Sequence, residues 1–537
     1  MTCEKEIPAY AMQPARAPKI IQSPAVYHKS QMTIPLERQC VTYQFEEDIL
    51  VPDIKEDMTD ILLMEAECDM MPMEKNLIPK TDDLLNFTGT IMIQTLYRSD
   101  KKDSLPVAIT SKVPYKYQWN LHCQAPAEGY FRCNVKELEY MIINERKFRV
   151  KVTLEFAAYL YEKKELSFFQ SLEDTALEMK TEEVTLSGLT ARVKEETTVD
   201  VMVEILEQKE LPVEILWQDY KVTENYRQVT TEKIVLNGFV YVELLYLGRN
   251  EEQEEALFHR TERVEFNQFI PLGKELRGRT WSIVKTDMEN MGLHTVIEKR
   301  EDSTVCFHLA GTLRCSISLF EEQTKEMVVD AYHLEKEFTC NFEHQTYKNA
   351  VFSRSTELQI RDVVHLPEGA KAESAVFCRC RPLHWKAQLE KNRIVLGGSL
   401  QAVSLWKDAA GIHGVTSQHG FQQTVETEGL EPDMHVELDL FVRDCRLTYL
   451  NERQMELCCS LVVSCDGYCD KHFILLEEPA FVEGGKLPRD AMVITAVEEN
   501  ESLWALAKRH RTTCQRIQDV NYLEHEPKQG QKLLIIR

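Results

Sequence analysis

The chain has 537 residues, 43% of them hydrophobic and 28% charged, a balance typical of folded globular proteins and a length that calls for several separate cores. Sixty-three Lys and Arg stand against 87 Asp and Glu, and the net charge of −24 repels phosphate backbones, which argues against nucleic acid or anionic lipid as a general partner. No run approaches the roughly 20 apolar residues of a spanning helix, and the opening segment has no apolar core of the kind an export signal needs, so an intracellular protein with no integral membrane segment is expected.

In chain order, residues 1–35 hold five Pro (Pro8, Pro14, Pro18, Pro24, Pro35) and read as an irregular lead. Beyond it three segments align, FTGTIMIQTLYRS, LNGFVYVELLYLG and LGGSLQAVSLWKD, anchored by Gly89, Gly238 and Gly398. Counting from each Gly, one face carries Ile91, Val240 and Leu400, then Ile93, Val242 and Ala402, and finally Tyr97, Tyr246 and Trp406, the period of a strand. The shared Gly predicts a bulge or a close backbone approach.

A second match closes two of the units: Asn144-Glu145-Arg146 and Asn451-Glu452-Arg453 each precede a long alternating strand, while the middle unit has Lys299 and Arg300 without the triplet and is the divergent copy. The triplet invites a general acid-base reading for Glu145, but a turn that opens a strand explains it more simply. Helical periodicity is scarce over residues 36–480, and short runs of Val, Ile, Thr, Tyr and Phe separated by polar turns predict a mainly β chain. The expected order is three tandem antiparallel β-sandwich or barrel-like modules at 36–168, 180–334 and 335–481, a linker at 482–490 and a small C-terminal βααβ domain at 491–537.

The sixteen Cys are scattered, and the densest group, Cys458, Cys459, Cys465 and Cys469, lacks the paired CxxC knuckles of a zinc site. Alternating strand positions filled by Cys as a small apolar residue account for it, and for Cys378 and Cys380. No phosphate loop, HExxH or nucleophile elbow occurs, so no catalytic, cofactor or metal residues are assigned and no enzyme is expected.

In the tail, an apolar strand (Val493, Thr495, Val497) leads to Ser502, a candidate N-cap, and to a helix with Leu503, Leu506 and Ala507 on one stripe. A second helix buries Ile517 and Val520 and ends at Asn521, and QKLLII forms the last strand. Residues 490–537 carry seven basic and seven acidic side chains, so the net charge resides elsewhere. Lys508, Arg509 and Arg511 crowd the end of the first helix with Arg516 nearby, a candidate basic docking patch for an acidic partner.

The run Ser502-Leu503-Trp504, Ala507, Asn521 and the segment GQKLLI resemble a LysM domain, with Asn500 and Glu501 where that family commonly has Gly-Asp, and Gln529 where it often has Pro. The resemblance implies a groove for N-acetylglucosamine polymers, or a partner-binding surface, at Asn500, Glu501, Ser502, Leu503, Asn521, Tyr522 and Leu523, with Trp504 beside it. The body segments VPDIKEDMTDILLMEAE, FTGTIMIQTLY and INERKFRVKVTLEF resemble SPOCS domains, and repeated SPOCS modules followed by one LysM domain is the layout of SipL-type spore coat morphogenesis proteins. That family implies a nonenzymatic adaptor made in the mother-cell cytoplasm, recruited to the forespore surface and docked through its LysM domain on a coat-basement morphogenetic ATPase. The alternative expectation is a peptidoglycan-binding protein of the cell wall or spore cortex.

Overall fold

The computed structural model describes residues 20–22, 25–70, 77–78, 84–101, 105–121, 127–172, 174, 176–205, 211–250, 252, 254–300, 305–482 and 492–537. The chain is mainly β. The first repeat contains β1 (Ile20–Gln22), β2 (Ala25–Pro35), β3 (Gln39–Leu50), β4 (Met58–Met70), β5 (Leu77–Ile78), β6 (Leu84–Ser99), β7 (Val107–Asn120), β8 (Ala127–Asn144) and β9 (Lys147–Leu172). The second has β10 (Leu177–Glu204), β11 (Leu211–Val229), β12 (Lys233–Arg249), β13 (Glu255–Pro271), β14 (Ile283–Lys299) and β15 (Val305–His333). The third has β16 (Glu337–His365), β17 (Ser374–Glu390), β18 (Arg393–Asp408), β19 (Gly411–Glu426), β20 (His435–Asn451) and β21 (Gln454–Val482).

Each repeat packs two antiparallel sheets face to face. The small sheets are β4-β6-β7, β11-β12-β13 and β17-β18-β19; the large ones are centred on the long strands β9, β15 and β21. In each small sheet the Gly-anchored strand is the middle one, and the face read from its period is the core: Ile91, Ile93 and Tyr97, Val240, Val242 and Tyr246, Leu400, Ala402 and Trp406 are all 3% exposed or less. The glycines allow the neighbouring strand to come close, because a Cβ at Gly89, Gly238 or Gly398 would collide with the carbonyl oxygen of Asp69, Thr223 or His384.

The residues 1–35 expected to be irregular require a correction. Ala25–Pro35 is a full strand paired with Tyr161–Leu172, and Ile20–Gln22 pairs with Ala480–Val482 of the third repeat. Pro35 ends its strand, so its missing N–H costs no internal ladder bond. Residues 1–19 and most of the 482–490 linker lie outside the described residues.

The three repeats close on one another. Of the small sheets, β7 meets β11, β13 meets β17 and β19 meets β4, so the second edge of each sheet faces the first edge of the next. This head-to-tail pattern is the one that closes into a ring. At its centre Leu63, Trp217 and Phe377, in the same register opposite Leu96, Leu245 and Leu405, share one apolar cluster. The long strands also join: at equal steps along β9, β15 and β21, Tyr161, Phe320 and Tyr468 meet in one cluster, Phe168, Met327 and Leu475 in a second, and Phe169, Val328 and Leu476 in a third.

Two charged junctions lie among these apolar layers, each built from register-equivalent positions of the three repeats. Arg132, Asp287 and Asp439 stand opposite Ala157, Ser316 and Ser464 on the long strands, and Arg132 pairs with both carboxylates. At the other junction Arg379 of the third repeat pairs with Glu65 of the first at 2.9 Å and Asp219 of the second at 2.8 Å, with Glu243 at 3.5 Å. The neighbouring guanidiniums hold Asp219 and Asp287 below the ordinary carboxylate range although burial opposes them.

Candidate functional site

The tail consists of β22 (Met492–Ala496), α1 (Leu503–His510), α2 (Cys514–Asn521) and β23 (Lys532–Ile536), with β22 antiparallel to β23. Ser502 Oγ accepts a hydrogen bond from the Ala505 amide at 3.2 Å and Thr513 Oγ1 from the Arg516 amide at 3.1 Å, so both helices start on capped first turns. Both end on a residue in the left-handed region, Arg511 and Tyr522. Leu503, Leu506, Ala507, Ile517, Leu533 and Ile535 form the core, and Tyr332 at the end of β15 belongs to the same cluster.

That shared tyrosine marks where the tail sits on the body. Its hydroxyl donates to the Thr512 carbonyl at 2.7 Å, and its ring meets Trp504 edge to face at 4.9 Å. Trp504 Nε1 donates to Asp330 at 2.8 Å, and Lys508 Nζ reaches the other oxygen of the same carboxylate at 2.6 Å. Arg511 donates to the His333 carbonyl at 3.2 Å and to the Lys336 carbonyl.

The expected docking patch is therefore divided. Lys508 and Arg511 hold the body, Arg509 pairs with Glu498 and with Glu501 at 3.2 Å, and Arg516 alone of the four is exposed with no carboxylate partner among the described residues. The groove positions divide in the same way. Asn521 ties α2 to β23, donating to the Ile517 and Leu534 carbonyls at 2.9 and 2.8 Å and accepting from the Leu534 amide at 2.7 Å. Leu503 and Leu523 pack on the core, and Trp504 faces Asp330. Glu501 accepts from the Glu498 amide, and the Leu503 amide donates to Glu526 at 2.8 Å, so a carboxylate already spans the two loops. Asn500, with φ of 58°, Ser502 and the 91% exposed Tyr522 face solvent.

The Asn-Glu-Arg triplet is a turn in both copies. Asn144 Oδ1 accepts from the Arg146 amide at 2.9 Å, and Asn451 Oδ1 from the Arg453 amide at 2.9 Å. The Glu145 and Glu452 carbonyls accept from the Met58 and Ala372 amides, so each turn anchors the strand that opens its small sheet or the loop before it.

Sequence spacing missed one grouping. Of the adjacent cysteines, Cys459 and Cys465 on one face of β21 are buried and Cys458 on the other is half-buried, as alternation requires, while Cys469, beyond the register shift opposite Gly467 and Tyr468, is half-buried too. Yet Cys380 from β17, Cys445 from β20 and Cys459 from β21 converge, with all three sulfurs within 4.8 Å of one another and Cys380 Sγ 3.4 Å from Cys459 Sγ. Cys378 and the other two thiols donate to Cys445 and hold it below its ordinary value. Three sulfurs supply three of the four ligands that a structural zinc site takes. The one sequence signal was Cys445 standing directly opposite Cys459, which is visible only once the strands are paired.

Comparison with known protein families, with curated proteins and with solved structures gives no match.

Proposed function

We propose that the protein is a nonenzymatic assembly adaptor of the spore coat: three SPOCS-like repeats form a rigid ring, and a LysM-like tail docks it on a coat-basement morphogenetic ATPase at the forespore surface. The mounting of the tail carries this reading. Trp504, Lys508 and Arg511 are committed to the body, so the tail is held in a set orientation while Asn500, Ser502, Tyr522 and Arg516 remain exposed. An exposed tyrosine and an exposed arginine on one small domain are residue types from which interface anchors are drawn. The resemblance of the repeats and of the tail supplies the identity of the partner.

The test is capture of the purified ATPase by the full chain and by Tyr522→Ala and Arg516→Glu. Wild-type chain should retain the ATPase, and each variant should weaken retention roughly tenfold, as loss of one interface anchor does. Retention of peptidoglycan fragments instead, lost in Tyr522→Ala, would move the tail to glycan recognition and overturn the adaptor.

A further inference from the structure

Between the repeats lies a cavity of about 1550 Å³ whose walls come from all three of them. In a chain with a net charge of −24 its lining runs the other way: twelve Arg and Lys face it against eight Asp and Glu. Most of these cations are paired, as in Arg132 with Asp287, Lys136 with Glu155 and Arg443 with Glu357. Four have no carboxylate partner among the described residues: Lys194 and Arg263 of the second repeat, Arg354 and Arg381 of the third. Arg263 lies over the Phe239 ring at 4.6 Å, and Arg381 donates to Gln401 at 2.8 Å, both neutral contacts. From the first and second repeats, the Nε atoms of Arg38 and Arg192 are buried without any acceptor.

The cavity is open to solvent: Lys194, Arg263 and Arg354 are exposed on its walls and Arg381 is half-buried, so these cations repel one another across a wet cleft where an anion can reach them. Lys194 shows the imbalance: burial first, then Arg192 and Arg314, hold its ammonium below the ordinary value against the pull of Glu289.

We propose that this cavity binds a small oligophosphate, a nucleoside polyphosphate or its inorganic counterpart. Two considerations select the class. Guanidinium forks match phosphate oxygens in pairs, and a phosphate chain delivers three or four charges in a small volume, where a peptide would need as many acidic residues threaded between the sheets. The void exceeds the usual range of about 300–1000 Å³ for small-ligand sites, which leaves room for a base against Trp385 or Tyr241.

The experiment is calorimetric titration of the full chain at low salt with inorganic tripolyphosphate, with ATP and with an oligoglutamate peptide, repeated on Arg354→Gln and on Arg381→Gln. A side-chain amide keeps a polar group at these positions while removing the charge, and a circular-dichroism melt matching wild type shows that each variant is folded. Tripolyphosphate or ATP should bind with one site per chain, and each substitution should weaken binding roughly tenfold, the loss of one charge-assisted contact. Tighter ATP binding would identify a nucleotide, and equal binding an inorganic chain. No phosphate binding up to millimolar concentration, binding unchanged in both variants, or binding of oligoglutamate alone would each overturn the assignment.

Discussion

The junctions between repeats and the seat of the tail use the same chemistry at different depths. At the repeat junction the Arg379 and Asp219 side chains are 10% and 4% exposed; at the tail seat Lys508 is 42% and Asp330 23% exposed. A buried cation is held by the carboxylates around it, and removing it leaves them short of a partner where little water reaches, whereas water replaces much of what a half-exposed pair loses. On this contrast the ring of repeats should unfold as one unit, and the tail should come away without unfolding it.

The strongest way to break this contrast is Arg379→Ala. It takes the shared guanidinium from Glu65, Asp219 and Glu243, leaving Asp219 with Lys221 and Glu243 with His259 only, and the cost should be about 3 kcal/mol in denaturant unfolding of the full chain. Unfolding within 1 kcal/mol of wild type would mean that the repeats do not depend on the junction. A smaller effect is expected from Glu67, whose carboxyl is pushed up to about 7 by burial and then by Asp219 beside it. A carboxyl raised in the folded state stabilises fully below its unfolded value near 4.5 and loses that contribution as pH climbs to about 7. Wild-type stability should fall between pH 5 and 8 by roughly 1–2 kcal/mol from this group, and Glu67→Gln should flatten the slope. A parallel pH profile in the variant would remove Glu67 from the account.

The smallest effect belongs to the tail. Asp330→Ala takes the shared acceptor from Trp504 and Lys508, and after allowance for solvent the loss should be about 1 kcal/mol. Hydrogen exchange at Leu506 and Ala507 should then speed up roughly fivefold while the amides of β9, β15 and β21 keep their protection. Loss of protection in the body as well would erase the distinction between unit and attachment.

What the sequence made legible is local. The strands anchored at Gly89, Gly238 and Gly398, the turns at Asn144 and Asn451 and the order of elements in the tail all follow from period, caps and turn chemistry within some fifteen residues. The junctions were not legible because Arg379 and Glu65 lie 314 positions apart, and alternation says which face of a strand is buried without saying against what. The same limit hid the meeting of Cys380 with Cys459, and it let Lys508 and Arg511 read as an outward patch when their partners, Asp330 and Lys336, belong to the body. The strand at Ala25–Pro35 was lost to its proline-rich surroundings, although Pro35 itself only closes it.

The charged junctions carry a consequence for descent. Each takes its guanidinium from one repeat and its carboxylates from the matching positions of the other two. Three identical subunits would bring three arginines or three aspartates to the same point and would be driven apart. Only copies joined in a single polypeptide can diverge position by position to resolve that conflict. The first repeat gives Arg132 to one junction and the third gives Arg379 to the other, so these two copies are no longer interchangeable. Replacing the third repeat by a second copy of the first would bring two arginines to one junction and leave the other with carboxylates alone, so the separate identity of each duplicated unit has become a heritable part of the fold.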